Sequence, residues 1–355
     1  MTDTLHATAG DATGIGAPVH RIEDARFLTG NGRFVDDIRI ANAAHAYILR
    51  SPHGHARIRA IDAAPARSVA GVLAVLTAAD AVADKLAPLP CRFFPPLPPG
   101  ARSYRPAQPI LVADKVRHVG DRVALVVAET LEAARDAAER IIVEYEPLAA
   151  AVLEDALSPG APKVWDDATD NLGFQLEHGD RGAVDRQFAG AAHITRLSLR
   201  YPRAAASSIE PRAALAYRDP IDGRYALVTS TQAPYRIREI VATVLGISEQ
   251  QLRVVAPDVG GAFGMKGQAY PEEALVVWAA GRLGRSVKWT GDRGESLSSD
   301  THGRDQIVDA EIALDADGRL LAMRSSLTIN LGAYLCYSGG VAPANAGTSY
   351  TSAYD

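Results

Sequence analysis

The chain has 355 residues, 47% hydrophobic and 22% charged, a composition with apolar surface for two or three packed cores and unlike that of a disordered or fibrous polypeptide. Lysine and arginine number 37 against 42 acidic residues, a formal net charge of -5, which leaves no broad basic field for phosphate backbones and argues against a nucleic-acid partner. Two cysteines, Cys91 and Cys336, cannot supply the four thiolates that an iron-sulfur cluster or a structural zinc usually takes.

From the N-terminus, residues 1–16 are small and polar and read as a tail. They lack both a charged start followed by an apolar core and a twin-arginine pair, so a cytoplasmic location is the expectation. Apolar runs such as Val123–Ala128 and Ala274–Ala280 are far shorter than the roughly 18 residues of a membrane span. No 20–50-residue period repeats, and the pattern is that of a mixed α/β protein. Turn-forming Gly30 to Gly32, set between apolar pairs in Arg26–Asp37, suggests a hairpin, and Ala44–Leu49 a strand. The proline-rich run within residues 91–109 is expected as an extended surface insertion. Val123–Ala128 then reads as a buried strand, followed by a helix capped by Thr130 that runs through Arg140 with Ala133, Ala134, Ala137, Ala138 and Ile141 on one face. Ile142–Glu146 is a further strand ending at Pro147.

Residues 151–185 lack sustained periodicity and read as a linker between a first domain (17–150) and a second (186–355). There, Tyr225–Ser230 reads as a strand, Pro234 to Gly246 as a helix with its stop, Ser248 with Gln251 as a capping box or a polar turn and Leu252–Ala256 as another strand. A helix is expected from about Glu272 to Gly284, then a strand at Val287–Trp289.

The most informative segment is Asp258-Val-Gly-Gly-Ala-Phe-Gly-Met-Lys-Gly267. A dinucleotide fingerprint fails, because Ala262 stands where a glycine is needed, and a Walker loop fails, because Met265 precedes Lys266 and Gly267 follows it. Two readings stay open on residue chemistry: amides exposed to a compact polar cofactor, or a plain tight turn with Phe263 filling a core.

Other features invite chemistry and have simpler accounts. His53 and His55 have no third ligand at useful spacing, and Asp315–Gly318 fits a hairpin turn better than a calcium loop. Ser338 lacks the glycine of a nucleophile elbow, and Glu210 is expected in a buried ion pair or a cap. Asp292, Arg293, His302 and Arg304 have two readings, orienting the loop or solvating turns, of which the second is preferred.

The loop Gly260-Gly-Ala-Phe-Gly-Met-Lys266 resembles that of the molybdenum-binding large subunits of the xanthine oxidase family, which includes aldehyde oxidoreductases and carbon monoxide dehydrogenase. Further segments are similar in the same order: Arg21–Asp24, Phe27–Gly30, Phe34–Asp37, Arg50–Ile58, Gly71-Val72, Val119-Gly120, Val123-Ala124, Val143–Leu148, Ile209–Arg212 and Ser230–Gln232. The resemblance spans about residues 17 to 335 and implies an α/β hammerhead domain followed by the first part of a molybdenum-cofactor-binding domain, an α/β (α+β) architecture incomplete on its own.

It further implies that Gly261, Ala262, Phe263 and Gly264 lie beside a molybdenum-pterin cofactor, with a backbone amide holding an oxygen ligand, and that Gln232 lies near the same pocket. The implied cofactor is the cytosine dinucleotide form, shared with a second cofactor-binding chain, and the implied reaction is hydroxylation of an aldehyde or N-heterocycle with oxygen from water. No catalytic or metal-ligating residue is assigned to this chain; the general-base glutamate is expected on the absent half or the partner. Iron-sulfur clusters and FAD are expected on other subunits. Gly267 stands where purine-oxidising relatives place a glutamate, which argues against xanthine as substrate. The alternative is a non-catalytic scaffold or a truncated relative that docks partner subunits without holding cofactor, and a split subunit and a truncated reading of a longer chain both remain open. Either way, residues 320–355 are expected to expose apolar surface left unfinished by the incomplete fold.

Overall fold

The computed structural model describes residues 14–16 and 21–349. In chain order, helix α1 (Asp24–Leu28) precedes strands β1 (Ala44–Arg50) and β2 (Ala56–Asp62), helix α2 (Ala64–Arg67), β3 (Val72–Thr77), α3 (Ala78–Ala83), β4 (Lys115–Val116), β5 (Arg122–Ala128), α4 (Leu131–Glu139) and β6 (Ile142–Pro147). Then come α5 (Arg181–Gly190), β7 (His193–Ala204), β8 (Ala213–Arg218), β9 (Tyr225–Thr229), α6 (Pro234–Leu245), β10 (Leu252–Val255) and α7 (Pro271–Leu283). The last elements are β11 (Val287–Thr290), α8 (Arg293–Ser299), β12 (Gly303–Leu314), β13 (Leu320–Ile329) and α9 (Val341–Ser349). No helix among the described residues is long and apolar enough to cross a membrane.

A seven-stranded sheet, in the order β10-β9-β8-β11-β1-β5-β3, draws strands from both halves of the sequence. The halves join where β1 runs parallel to β11, Ala44 opposite Val287 and His45 opposite Lys288. Strand β5 is buried at all seven positions, and successive side chains serve opposite faces, as a period of two requires. Leu125 and Val127 pack into a core with Ile237, Ile240 and Leu275 of α6 and α7. Ala124, Val126 and Ala128 pack with Ala134, Ala137 and Ala138 of α4. The helix ends follow local chemistry: Thr130 accepts a hydrogen bond from the Ala133 amide at 3.1 Å, while Gly246 and Gly284 close α6 and α7 at φ of 64° and 61°. Strand β6 pairs with β2 in a three-stranded sheet β4-β2-β6, so the strand-helix-strand run β5-α4-β6 links two sheets.

The hairpin expected at Arg26–Asp37 does not form. The segment holds α1 and a single 3₁₀ turn at Val35–Asp37, because its polar groups bond to a distant residue. Asp258 takes the Arg26 guanidinium with one contact of 2.7 Å and accepts from the Arg33 amide at 2.6 Å. The β12–β13 turn is the hairpin expected there, with Asp315 Oδ1 accepting from the amides of Asp317 and Arg319, each at 2.9 Å.

The third sheet, β13-β12-β7, leaves β7 at an edge with all twelve residues exposed. Of the apolar exposure expected along residues 320–355, Leu320 is exposed and the other apolar residues of β13 are half-buried, while 350–355 lie outside the described residues; Ile194, Leu197, Leu199 and Tyr201 of β7 are exposed as well.

Beneath the large sheet, a buried ion network links the two halves. Glu272 of α7 receives Arg50 Nη2 at 2.6 Å and Arg212 Nη1 at 2.8 Å. Arg50 also reaches Glu295 at 2.7 Å, and Arg212 reaches Asp300 at 2.6 Å. Burial alone would raise the pKa of Glu272, but the two guanidiniums outweigh it and hold the carboxylate well below its ordinary range. The adjacent Glu273 has no such partner, and burial pushes it up to about 8.

Candidate functional site

Residues 258–267 connect β10 to α7 and are held from two sides. Glu210 Oε2 accepts from the Gly260 amide (2.7 Å), Ser230 Oγ (2.7 Å) and Lys266 Nζ (2.8 Å). Glu210 thus forms the buried ion pair expected of it and clasps both ends of the loop. Burial pulls the pKa of Lys266 down, and Glu210 recovers only part of the shift. Glycine is required at 260, because a Cβ there would stand 2.6 Å from Glu210 Cβ. From the other side, the Gln232 amide donates to Lys266 O at 3.0 Å, and Thr231 Oγ1 donates to the same carbonyl at 3.0 Å. The Gln232 side chain accepts the Gly264 N–H through Oε1 at 3.1 Å. With Oε1 engaged, the donor end of this carboxamide is left for other partners.

The crest of the loop is backbone. Gly261, Phe263 and Gly264 have φ of 95°, 52° and 86°, left-handed values that cost a phenylalanine on the order of 1 kcal/mol. Phe263 is 79% exposed, so the reading in which it fills a core is excluded. The amides of Gly261, Ala262 and Phe263 have no protein acceptor among the described residues. Three consecutive free N–H groups next to a carboxamide donor are a donor set suited to an anionic oxygen. The structure therefore brings together all five residues picked out from the sequence: Gly261, Ala262, Phe263, Gly264 and Gln232.

Residue chemistry anticipated Glu210 among the supports of this loop and ranked the wrong reading first for Arg293. Arg293, read as solvating a turn, donates through Nη2 to the carbonyls of Ser208 (2.5 Å) and Ile209 (3.0 Å), fixing the segment that pairs with the loop through Glu210 N and Gly260 O at 3.0 Å. Its neighbour Asp292 caps α8 by accepting from the Glu295 amide at 2.7 Å. The Arg26–Asp258 pair was missed too, since nothing local connects residues so far apart. His55 Nδ1 lies 2.8 Å from Ala149 O, and the His53 ring lies against Tyr145 with centroids 4.8 Å apart. A concavity of about 1890 Å³ lies among residues 150–185, β13 and Tyr334 and does not include the loop. Donor geometry, not cavity size, singles out the loop.

A profile described as "Molybdopterin cofactor-binding domain" matches residues 164–355. One described as "Aldehyde oxidase and xanthine dehydrogenase, a/b hammerhead domain" matches residues 29–149. The chain belongs to the xanthine oxidase family of molybdenum hydroxylases. It is 36% identical to the carbon monoxide dehydrogenase large chain of Afipia carboxidovorans, over 96% of this chain and 43% of that one. The quinoline 2-oxidoreductase of Pseudomonas putida 86 superposes with a TM-score of 0.82 at 35% identity, over 90% of this chain and 40% of that one. The chain thus spans less than half the length of these hydroxylases. A shorter relative, the nicotinate dehydrogenase large molybdopterin subunit of Eubacterium barkeri, is 28% identical, over 90% of this chain and 71% of that one.

Proposed function

We propose that this chain is the molybdenum-binding component of a multi-component hydroxylase acting on an aldehyde or N-heterocycle, with its cofactor shared with a second cofactor-binding chain. The observation that carries the reading is the row of free amides at Gly261, Ala262 and Phe263 beside a Gln232 carboxamide fixed by Gly264. The residues fit the cofactor: the row has donors and no carboxylate, as an oxygen-rich anionic group requires. When bound, the molybdenum-pterin group, in its cytosine dinucleotide form, supplies two-electron oxidation of carbon with oxygen from water.

In this reading Gly261, Ala262 and Phe263 donate N–H bonds to an oxygen of that group. Gln232 directs its Nε2 donors toward it, and the Phe263 ring forms a flat apolar wall against the substrate carbon. Glu210 and Lys266 hold the amides in place before any charge develops, so no reorganisation accompanies the reaction. The proton-accepting glutamate lies on a partner chain, as do the iron-sulfur clusters and FAD. Within this chain, residues 17–150 form the hammerhead domain and 186–355 the cofactor-binding portion, joined by 151–185, and the assembly is cytoplasmic.

The test is metal and nucleotide analysis of the complex purified untagged from its source. Near-stoichiometric molybdenum with cytidine nucleotide, accompanied by an iron-sulfur chain, is expected. A complex free of molybdenum overturns the reading in favour of a scaffold.

A further inference from the structure

Helix α6 starts at Pro234, just after Gln232, and its first turn places half-buried Arg236 beside the glycine loop. Arg236 Nη1 donates to Gly267 O at 2.5 Å, and the guanidinium carbon stands 4.5 Å from the centroid of the Tyr337 ring. These contacts hold the group in place without neutralising it. Its other N–H groups reach no carboxylate or carbonyl among the described residues. Acids nearby in sequence are engaged elsewhere: Glu239 takes Arg92 at 3.1 Å and the Tyr337 hydroxyl at 3.2 Å, and Glu249 takes Arg238 at 2.9 Å.

Gly267 shows where this charge is felt. A Cβ there would stand 3.7 Å from Gln232 Oε1 and 4.0 Å from Arg236 Nη1, with no other heavy atom beyond its chain neighbours within 4 Å. Among the described residues, the space over Gly267 is thus bordered by the carboxamide already assigned to the site and by an unpaired cation. A guanidinium withdrawn from water without a counter-ion is unfavourable. Its planar fork matches a carboxylate through two parallel N–H···O bonds.

We propose that Arg236 binds a carboxylate of the substrate, so that the site takes an aldehyde or N-heterocycle carrying an acidic group. The inference deepens the functional reading above and rests on it. In that reading the amides of residues 261–263 serve the cofactor oxygen, which leaves the cation at the Gly267 end of the loop for the substrate.

The experiment is isothermal titration of the molybdenum-containing complex with benzoate and, separately, with its neutral counterpart benzamide, for the parent, Arg236→Gln and Arg236→Lys. Glutamine retains a donor for the Gly267 carbonyl and removes only the charge, so a purely structural role for Arg236 would not alter the ratio of the two affinities. The parent is expected to bind benzoate about tenfold more tightly than benzamide, the scale of a charge-assisted pair. Arg236→Gln should erase that preference, and Arg236→Lys should keep part of it. A parent complex that holds molybdenum and binds the two probes equally overturns the proposal and leaves the functional reading standing, as does a benzoate preference that survives in Arg236→Gln. An Arg236→Gln complex that has lost its molybdenum assigns the guanidinium to an anionic group of the cofactor and overturns the substrate assignment. A parent complex free of molybdenum fails the functional reading, and the carboxylate site with it.

Discussion

The seam around Glu272 and the loop around Phe263 lie at opposite ends of the same short stretch of chain and are built on opposite principles. At the seam the guanidiniums have found carboxylates within the chain: Arg50 and Arg212 both close on Glu272, and each reaches a second, Glu295 or Asp300. At the loop, backbone donors are left free and an aromatic ring is exposed in a left-handed conformation. A buried charge must be satisfied where it stands. A binding site is the place where satisfaction is deferred to a ligand, and the local strain it carries is tolerated because neighbours such as Glu210 over-determine the backbone.

The contrast breaks most sharply at the seam. Arg212→Met strips Glu272 and Asp300 of a shared partner and should cost about 3–5 kcal/mol, read as a lower urea midpoint in equilibrium unfolding. Gly260→Ala comes next. Its Cβ would meet Glu210 Cβ at 2.6 Å, and the overpacking should cost about 1–3 kcal/mol while loosening the clasp; an unchanged unfolding midpoint would show that the clasp yields freely.

The paired glutamates separate the two principles by pH. Glu273, raised to about 8 from an ordinary 4.5, contributes stability that is full below pH 4.5 and is lost as the pH rises through 8. Glu272 is depressed, so its contribution is present above its unfolded value and is lost in acid. Glu273→Gln should therefore flatten the decline between pH 5 and pH 8, as shown by urea midpoints across that window. The smallest effect belongs to the loop: Phe263→Gly relieves the left-handed strain and should leave stability within about 1 kcal/mol of the parent, while abolishing turnover of the assembled enzyme. Retained turnover would remove Phe263 from the site.

What could be read in the sequence was local. The buried run at β5, the Thr130 cap and the glycine stops of α6 and α7 each depend on residues within a turn of one another. The α1 segment could not be read this way, because Asp258 lies 232 positions from Arg26 and replaces hairpin hydrogen bonds with its own. Strand β7 was legible in part: Leu197, Leu199 and Tyr201 alternate with Arg196, Ser198 and Arg200 at the period of a strand, while Pro202 and Arg203 obscure where it ends. The loop lay between: its glycines signalled an unusual backbone and its likeness to a family suggested a purpose. That Gln232 grips Gly264 required the fold to bring residues 32 positions apart into contact.

The parallel union of β1 with β11 also governs how the protein is made. Ala44 meets Val287, 243 positions later. At the usual 5–20 residues per second, the ribosome takes about 10–50 s to deliver that partner. Throughout that interval the first half of the sheet presents β1 as an open edge in the middle of what will become a seven-stranded layer, exposed to pairing with other nascent chains. Yield at high expression rate is thus sensitive to a strand that, once folding is complete, is paired on both sides at His45.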